Sequence, residues 1–167
     1  MVRKGLRSSG ASLPKTVKAG LGDPAPQFAL SDQNGEEWRL SDFSGRTVVL
    51  LFYPGDETPV CTRQMCSLRD HWQDYRATGA EVVGVSGNTV ESHKSFAENH
   101  HLPIRLLADG GGTVSKLYDA MSIFPGRTAR SVFVIDAGGI IRYRDVRRIG
   151  LLRPKDEDII EAIRAAS

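Results

Sequence analysis

The chain has 167 residues, 22 Lys and Arg against 20 Asp and Glu, a formal net charge of +2, and 40% hydrophobic residues. That length makes one domain, which removes roughly 70% of its unfolded-state surface from water and needs no disulfide or metal to stay folded. Neither a nucleic-acid partner nor a membrane is expected: no basic stripe is interleaved with aromatics, and no apolar run approaches roughly 18 residues.

Residues 1–20, MVRKGLRSSGASLPKTVKAG, are basic, free of acids and without hydrophobic periodicity. They read as a mobile tail. Their composition also suits a targeting segment, although the apolar h-region of a secretion signal is missing. A single domain is expected over 21–167. It opens with Phe28-Ala29-Leu30 and Trp38-Arg39-Leu40 on either side of the turn dipeptide Asn34-Gly35, a small hairpin. Thr47 to Tyr53 is a continuous apolar, β-branched run, as in a strand covered on both faces.

A helix is expected after Pro59. With 100° per residue, Met65, Leu68, Trp72 and Tyr75 fall within about 40° of Cys61, a coherent buried stripe. Further strands are read at Glu81–Ser86, Ile104–Ala108, Ser131–Ile135 and Ile140–Arg144, the last two joined as a hairpin through Asp136–Gly139. Between them, Asn88-Thr-Val-Glu91 has the residue types of a capping box and opens a helix toward His100, with Pro103 marking its end. Thr113–Ala120 reads as a shorter helix after the flexible triplet Gly110–Gly112, where no Lys-Ser/Thr follows at phosphate-loop spacing. Pro154–Ala166 closes the chain, with Ile159, Ile160 and Ile163 on one face. The order predicts an α/β architecture, a central sheet with helices on both sides.

The only two cysteines, Cys61 and Cys66, both lie in YPGDETPVCTRQMCSLRD. Two thiols do not make a secreted disulfide scaffold, so a reducing, cytoplasmic setting and a chemical role are the better expectation. Cys61 falls in the first helical turn, where unpaired N–H groups and the positive end of the dipole favour a thiolate, the nucleophilic form. Asp56 and Glu57 oppose that effect, so a cation from elsewhere in the fold is required. In an intact helix Cα atoms five residues apart are about 8.6 Å apart, whereas a disulfide requires less than about 7 Å and converging Cβ vectors. If the pair is functional, its redox cycle is also a conformational cycle.

The run FYPGDETPVCTRQMCSLRD resembles the active-site segment of the peroxiredoxins, P-x-x-x-T/S-x-x-C, met here by Pro54, Thr58 and Cys61. The second cysteine five residues on is similar to the PrxQ, or bacterioferritin-comigratory-protein, subfamily. The likeness extends through Arg130-Ser-Val-Phe-Val-Ile-Asp136 and covers roughly residues 21–166. It implies a thioredoxin-like fold: a central mixed β-sheet flanked by helices, with an N-terminal β-hairpin. It also implies a peroxidase that reduces hydrogen peroxide and organic hydroperoxides without metal or prosthetic group. Cys61 would be the peroxidatic thiolate and Cys66 the resolving thiol. Thr58 would offer its hydroxyl, Arg130 the missing cation, and Pro54 a rigid screen from water. Thioredoxin or a similar dithiol would recycle an intramolecular disulfide in a monomeric enzyme. Gln64 stands where many relatives carry Glu, and Val60 where many carry Gly.

Taken singly, these residues are unremarkable: Thr58 an ordinary turn residue, Arg130 a strand-edge charge, Pro54 loop punctuation, and the cysteines small hydrophobes. Only the constellation raises them. A metal site recruiting Cys61, Cys66, His71, His100 and His101 is disfavoured because the helix turns the two thiols to different faces. The four histidines read as helix-surface or helix-end residues. A peroxide-responsive redox sensor using the same disulfide switch is the alternative function, and a thioredoxin-fold module with vestigial cysteines a third.

Overall fold

The computed structural model describes residues 19–149 and 152–167. In chain order the first elements are β1 (Ala29–Ser31), β2 (Glu37–Arg39), a 3-10 turn (Leu40–Phe43), β3 (Val48–Phe52), α1 (Pro59–Asp70) and α2 (Trp72–Ala77). There follow β4 (Glu81–Ser86), α3 (Val90–His100), β5 (Arg105–Ala108), α4 (Thr113–Leu117), β6 (Arg130–Ile135), β7 (Ile141–Arg147) and α5 (Asp156–Ala166). The tail expected over 1–20 lies outside the described residues up to 18. Ala19 is buried and its carbonyl accepts from Arg144 Nε at 3.1 Å, so this end of the segment packs on β7.

The longest apolar run becomes the middle of the sheet. All five residues of β3 are buried, because the strand order β5-β4-β3-β6-β7 gives β3 a neighbour on each side. It pairs parallel with β4 and antiparallel with β6, which makes the sheet mixed. β1 and β2 form the separate hairpin around Asn34-Gly35, with Leu30 opposite Trp38. Side chains of a strand alternate between faces, and here the alternation divides two cores. Val49, Leu51 and Tyr53 point to one side, against Met65, Leu68, Phe96 and Ile163. Val48, Leu50 and Phe52 point to the other, against Trp38, Tyr118 and Phe133. Among the described residues no helix is long and apolar enough to cross a membrane.

Several boundaries differ from the sequence reading for local reasons. The stripe from Cys61 to Tyr75 spans two helices, because His71 leaves helical geometry at φ −102°, ψ 18°. Its members Cys61, Met65, Leu68 and Tyr75 are nonetheless buried, while Trp72 is partly covered. The cap of α3 is Thr89, whose side chain accepts from the Ser92 N–H, and not Asn88, whose side chain instead accepts from the Asp56 N–H in the loop before α1. α4 stops at Leu117, since Asp119 adopts a left-handed φ of 53° and the Ala120 N–H returns to the Ser115 carbonyl at 2.8 Å. α5 starts at Asp156, two residues after Pro154. The buried Asp156 carboxylate accepts from Tyr75 Oη at 2.6 Å and from Ser67 Oγ, tying α5 to α1 and α2. β7 runs on to Arg147.

Gly84, in β4, sits where these layers approach most closely. A Cβ there would lie 2.9 Å from Leu106 Cδ2, 3.1 Å from Tyr53 Cε1 and 3.4 Å from Met65 Cε. Gly84→Ala is therefore expected to overpack the core beneath α1 and lower unfolding stability by about 1–3 kcal/mol, read from urea midpoints. An unchanged midpoint would show that this contact yields freely.

Candidate active site

Where β3 ends, the Tyr53 N–H still bonds to the Val85 carbonyl at 3.0 Å, and the chain then leaves the sheet through Pro54–Thr58. Glu57 turns it with a left-handed φ of 62°. Thr58, extended at φ −75° and ψ 150°, is the N-cap of α1, and Pro59 follows in the first turn, where its missing N–H costs nothing. The first helical bond runs from the Thr62 N–H to the Thr58 carbonyl at 2.8 Å, so the N–H groups of Val60 and Cys61 precede the helical ladder. The Thr58 side chain does not cap them; its hydroxyl donates to the Gly55 carbonyl at 3.0 Å. Its proton serves the loop, and its lone pairs are the part left for a donor.

Cys61 is fully buried, on the Tyr53 side of the sheet. Arg130, the first residue of β6, is 4% exposed and brings Nη1 to 3.3 Å from Cys61 Sγ and 2.9 Å from Gln64 Oε1. Among the described residues Arg130 forms no ion pair with a carboxylate. Its Nε and the Gln64 Nε2 are both buried without a hydrogen-bond partner. Gln64 supplies an acceptor but no charge, which leaves a buried guanidinium whose anionisable hydrogen-bond partner, among the described residues, is the Cys61 sulfur. Pro54, Thr58, Val60, Arg63, Phe124 and Arg130 are among the residues lining an open groove of about 380 Å³ at this point.

The two acids expected to work against a thiolate are bonded elsewhere. Asp56 accepts from Tyr53 Oη at 2.7 Å, Ser92 Oγ at 2.7 Å and His93 Nδ1 at 2.8 Å. Its own N–H donates to Asn88 Oδ1 at 3.0 Å. Burial alone would raise this carboxyl, but the bonds from His93, Tyr53 and Ser92 hold it below the usual carboxylate range. Burial and the neighbouring Asp56 push the Tyr53 phenol well up, so it remains a donor. Glu57 lies at the surface, where bonds from Asn99 and His100 keep its carboxyl low.

His93 corrects the sequence reading, which assigned every histidine to a helix surface or end. It is fully buried, with Nδ1 on Asp56 and Nε2 3.0 Å from the Leu107 carbonyl. The signal was present: His93 shares the face of Phe96, Ala97 and His100 at i, i+3, i+4 and i+7, the period of a buried stripe. His100, at the end of α3 as the sequence reading had it, lies 3.8 Å by Nδ1 from the sulfur of half-buried Cys66. His71 is 44% exposed on its side chain, as a surface residue should be. Both cysteines are free thiols, at opposite flanks of an unbroken stretch of α1. Among the described residues no group of three His, Cys, Asp or Glu side chains is arranged to hold a metal.

Comparison with known proteins agrees with this construction. The model of the AhpC/TSA family matches residues 21–144. The chain is 44% identical over 142 residues to "Peroxiredoxin Q, chloroplastic" of Triticum aestivum, covering 84% of this chain and 64% of that protein. The corresponding protein of Sedum lineare is 42% identical over 141 residues, with coverage of 82% and 76%. The chain thus spans slightly less than two thirds of the wheat relative. Among solved structures, peroxidoxin BcpB from Mycobacterium tuberculosis superposes with a TM-score of 0.79 at 30% identity, covering 88% of this chain and 97% of that one. The architecture is the thioredoxin-like one of that structure, and the chain belongs to the AhpC/TSA family, in its peroxiredoxin Q branch.

Proposed function

We propose that residues 21–167 form a single-domain, monomeric thiol peroxidase acting on hydrogen peroxide and organic hydroperoxides in a reducing, cytoplasmic compartment. The observation that carries this reading is the Arg130 guanidinium, buried 3.3 Å from Cys61 Sγ and, among the described residues, in no ion pair with a carboxylate. A buried cation is costly unless an anion accompanies it, and a thiolate at Cys61 meets that need. The same guanidinium, directional and always charged, is suited to the negative charge that moves onto the leaving oxygen.

In the first step the Cys61 thiolate attacks the terminal oxygen of the hydroperoxide. An S–O bond forms, the O–O bond breaks, and the alkoxide or hydroxide leaves with a proton as alcohol or water. The N–H of Cys61, ahead of the helical ladder, and the Thr58 oxygen are suited to hold the peroxide in line. Pro54 stiffens the loop and limits water at the sulfur. In the second step the Cys66 sulfur attacks the Cys61 sulfenic acid; an S–S bond forms, the S–O bond breaks, and water departs. Thioredoxin or a comparable dithiol then takes up the disulfide by exchange.

Cys61→Ser is expected to abolish turnover in an assay coupling peroxide loss to thioredoxin, thioredoxin reductase and NADPH. Cys66→Ser should consume about one peroxide per subunit and then stall or overoxidise; sustained cycling by that variant with thioredoxin would remove Cys66 from the obligatory path. Arg130→Met should slow the first oxidation by about 10²-fold, the usual cost of one transition-state donor, with unchanged kinetics excluding Arg130 from the site.

A further inference from the structure

The surroundings of Cys66 are as specific as those of Cys61. Cys66 Sγ lies 3.8 Å from His100 Nδ1, and His100 Nε2 lies 2.8 Å from Glu57 Oε1. Because Glu57 is an acceptor for Nε2–H, the neutral ring carries its proton there and turns the Nδ1 lone pair toward the thiol. The ring is held in that orientation from several sides. Its edge packs on Phe96, with centroids 5.2 Å apart and planes at 73°. Arg69 Nη1, from α1, donates to the His100 carbonyl at 2.8 Å, and Asn99 Nδ2 donates to the second Glu57 oxygen at 3.0 Å. Glu57 keeps a left-handed backbone that strains any residue but glycine, and its carboxylate is the group that reaches the ring. The charged or titratable side chains meeting His100 are thus Glu57 from the loop and Cys66 from α1, with Arg69 on its carbonyl.

We propose that Glu57, His100 and Cys66 form a proton relay in which His100 is the catalytic base for the resolving thiol and Glu57 its positioning residue. The inference rests on the peroxidase reading above. His100 Nδ1 takes the proton of the Cys66 S–H while α1 is still folded, and Glu57 stabilises the resulting imidazolium. The freed thiolate attacks Cys61 sulfur; the S–O bond breaks, the departing hydroxide takes a proton from solvent and leaves as water, and His100 gives its own proton back to solvent. Atoms and electrons balance without a further reagent. The arrangement removes a delay: the helix has to open for the sulfurs to meet, and a thiol ionised beforehand needs no proton acceptor once it has left its site.

The test is single-turnover mass spectrometry with rapid acid quench, following Cys61 oxidation and the Cys61–Cys66 disulfide as separate species. An unassisted thiol with a pKa near 8.5 is roughly 3% ionised at pH 7, so His100→Phe should slow disulfide formation by up to ~30-fold at that pH. The deficit should shrink toward unity near pH ~9, where solvent ionises the thiol, and a purely structural defect would not recover in this way. Glu57→Gln, which keeps the backbone and the shape, should show a smaller deficit with the same pH dependence. A disulfide rate at pH 7 equal to wild type in His100→Phe, or a loss that is the same at both pH values, would overturn the relay. Should His100→Phe fail to fold, Glu57→Gln alone decides by the same pH criterion. Failure of wild-type Cys61 to oxidise at all would instead contradict the peroxidase reading.

Discussion

Two sulfurs five residues apart on one intact helix face different sides and cannot bond, and the rest of the site is arranged around that separation. α1 runs unbroken through both positions. At its first turn the helix is held tightly: Cys61 and Met65 are fully buried under β3, and Arg130 grips both Cys61 and Gln64. Farther along, the Cys66 side chain makes one long contact to an imidazole, while the adjoining Ser67 and Arg69 bond to Asp156 and to the His100 carbonyl. In the proposed cycle, oxidation converts a thiolate facing a buried guanidinium into a neutral sulfenic acid, which weakens the strongest of these restraints. The chemistry that creates the need for unwinding thereby also loosens the turn that has to unwind.

The sheet explains how residues so distant in sequence come to share this turn. β3 and β6 are antiparallel neighbours with Phe52 opposite Ser131, so the start of β6 lies beside the exit of β3, where the active-site loop begins. A one-residue slip in that register would turn Arg130 to the other face of the sheet. Beneath the loop, the Tyr53–Asp56–His93 cluster anchors the segment to α3, and the Leu107 carbonyl completes the hydrogen bonding of His93. These bonds also surround the Asp56 carboxylate with its own donors, offsetting a charge that local sequence alone would set against a thiolate.

Periodicity carried much of this information and tertiary partners carried the rest. The buried run at β3, the hairpin at Asn34-Gly35, the inward stripe of α1 and the isoleucine face of α5 were legible because burial on one side imposes a repeat on the sequence. Cys61, Thr58 and Pro54 were legible as one local motif, and Arg130 through the family resemblance of the strand it begins, since alone it reads as a strand-edge charge. The break at His71 was not, since a residue type that tolerates helix gives no stop signal. His93 was misread because a histidine on an apolar face reads as core or surface according to its partner, and Asp56 lies over thirty residues away; the contacts of the helix-end His100 were hidden for the same reason, with Glu57 equally distant. Thr89 displaced Asn88 as cap for a similar reason: the Asn88 side chain was already engaged by Ser86 and Asp56.

The claim that the redox cycle is a folding cycle is tested most directly by amide hydrogen exchange on the reduced protein and on the same protein oxidised with one equivalent of peroxide. Faster exchange confined to the segment from Cys61 to Cys66 and its adjoining turns is expected after oxidation, with the strands of the sheet unchanged. Equal protection of that segment in both states, in a sample carrying the Cys61–Cys66 bond, would contradict it.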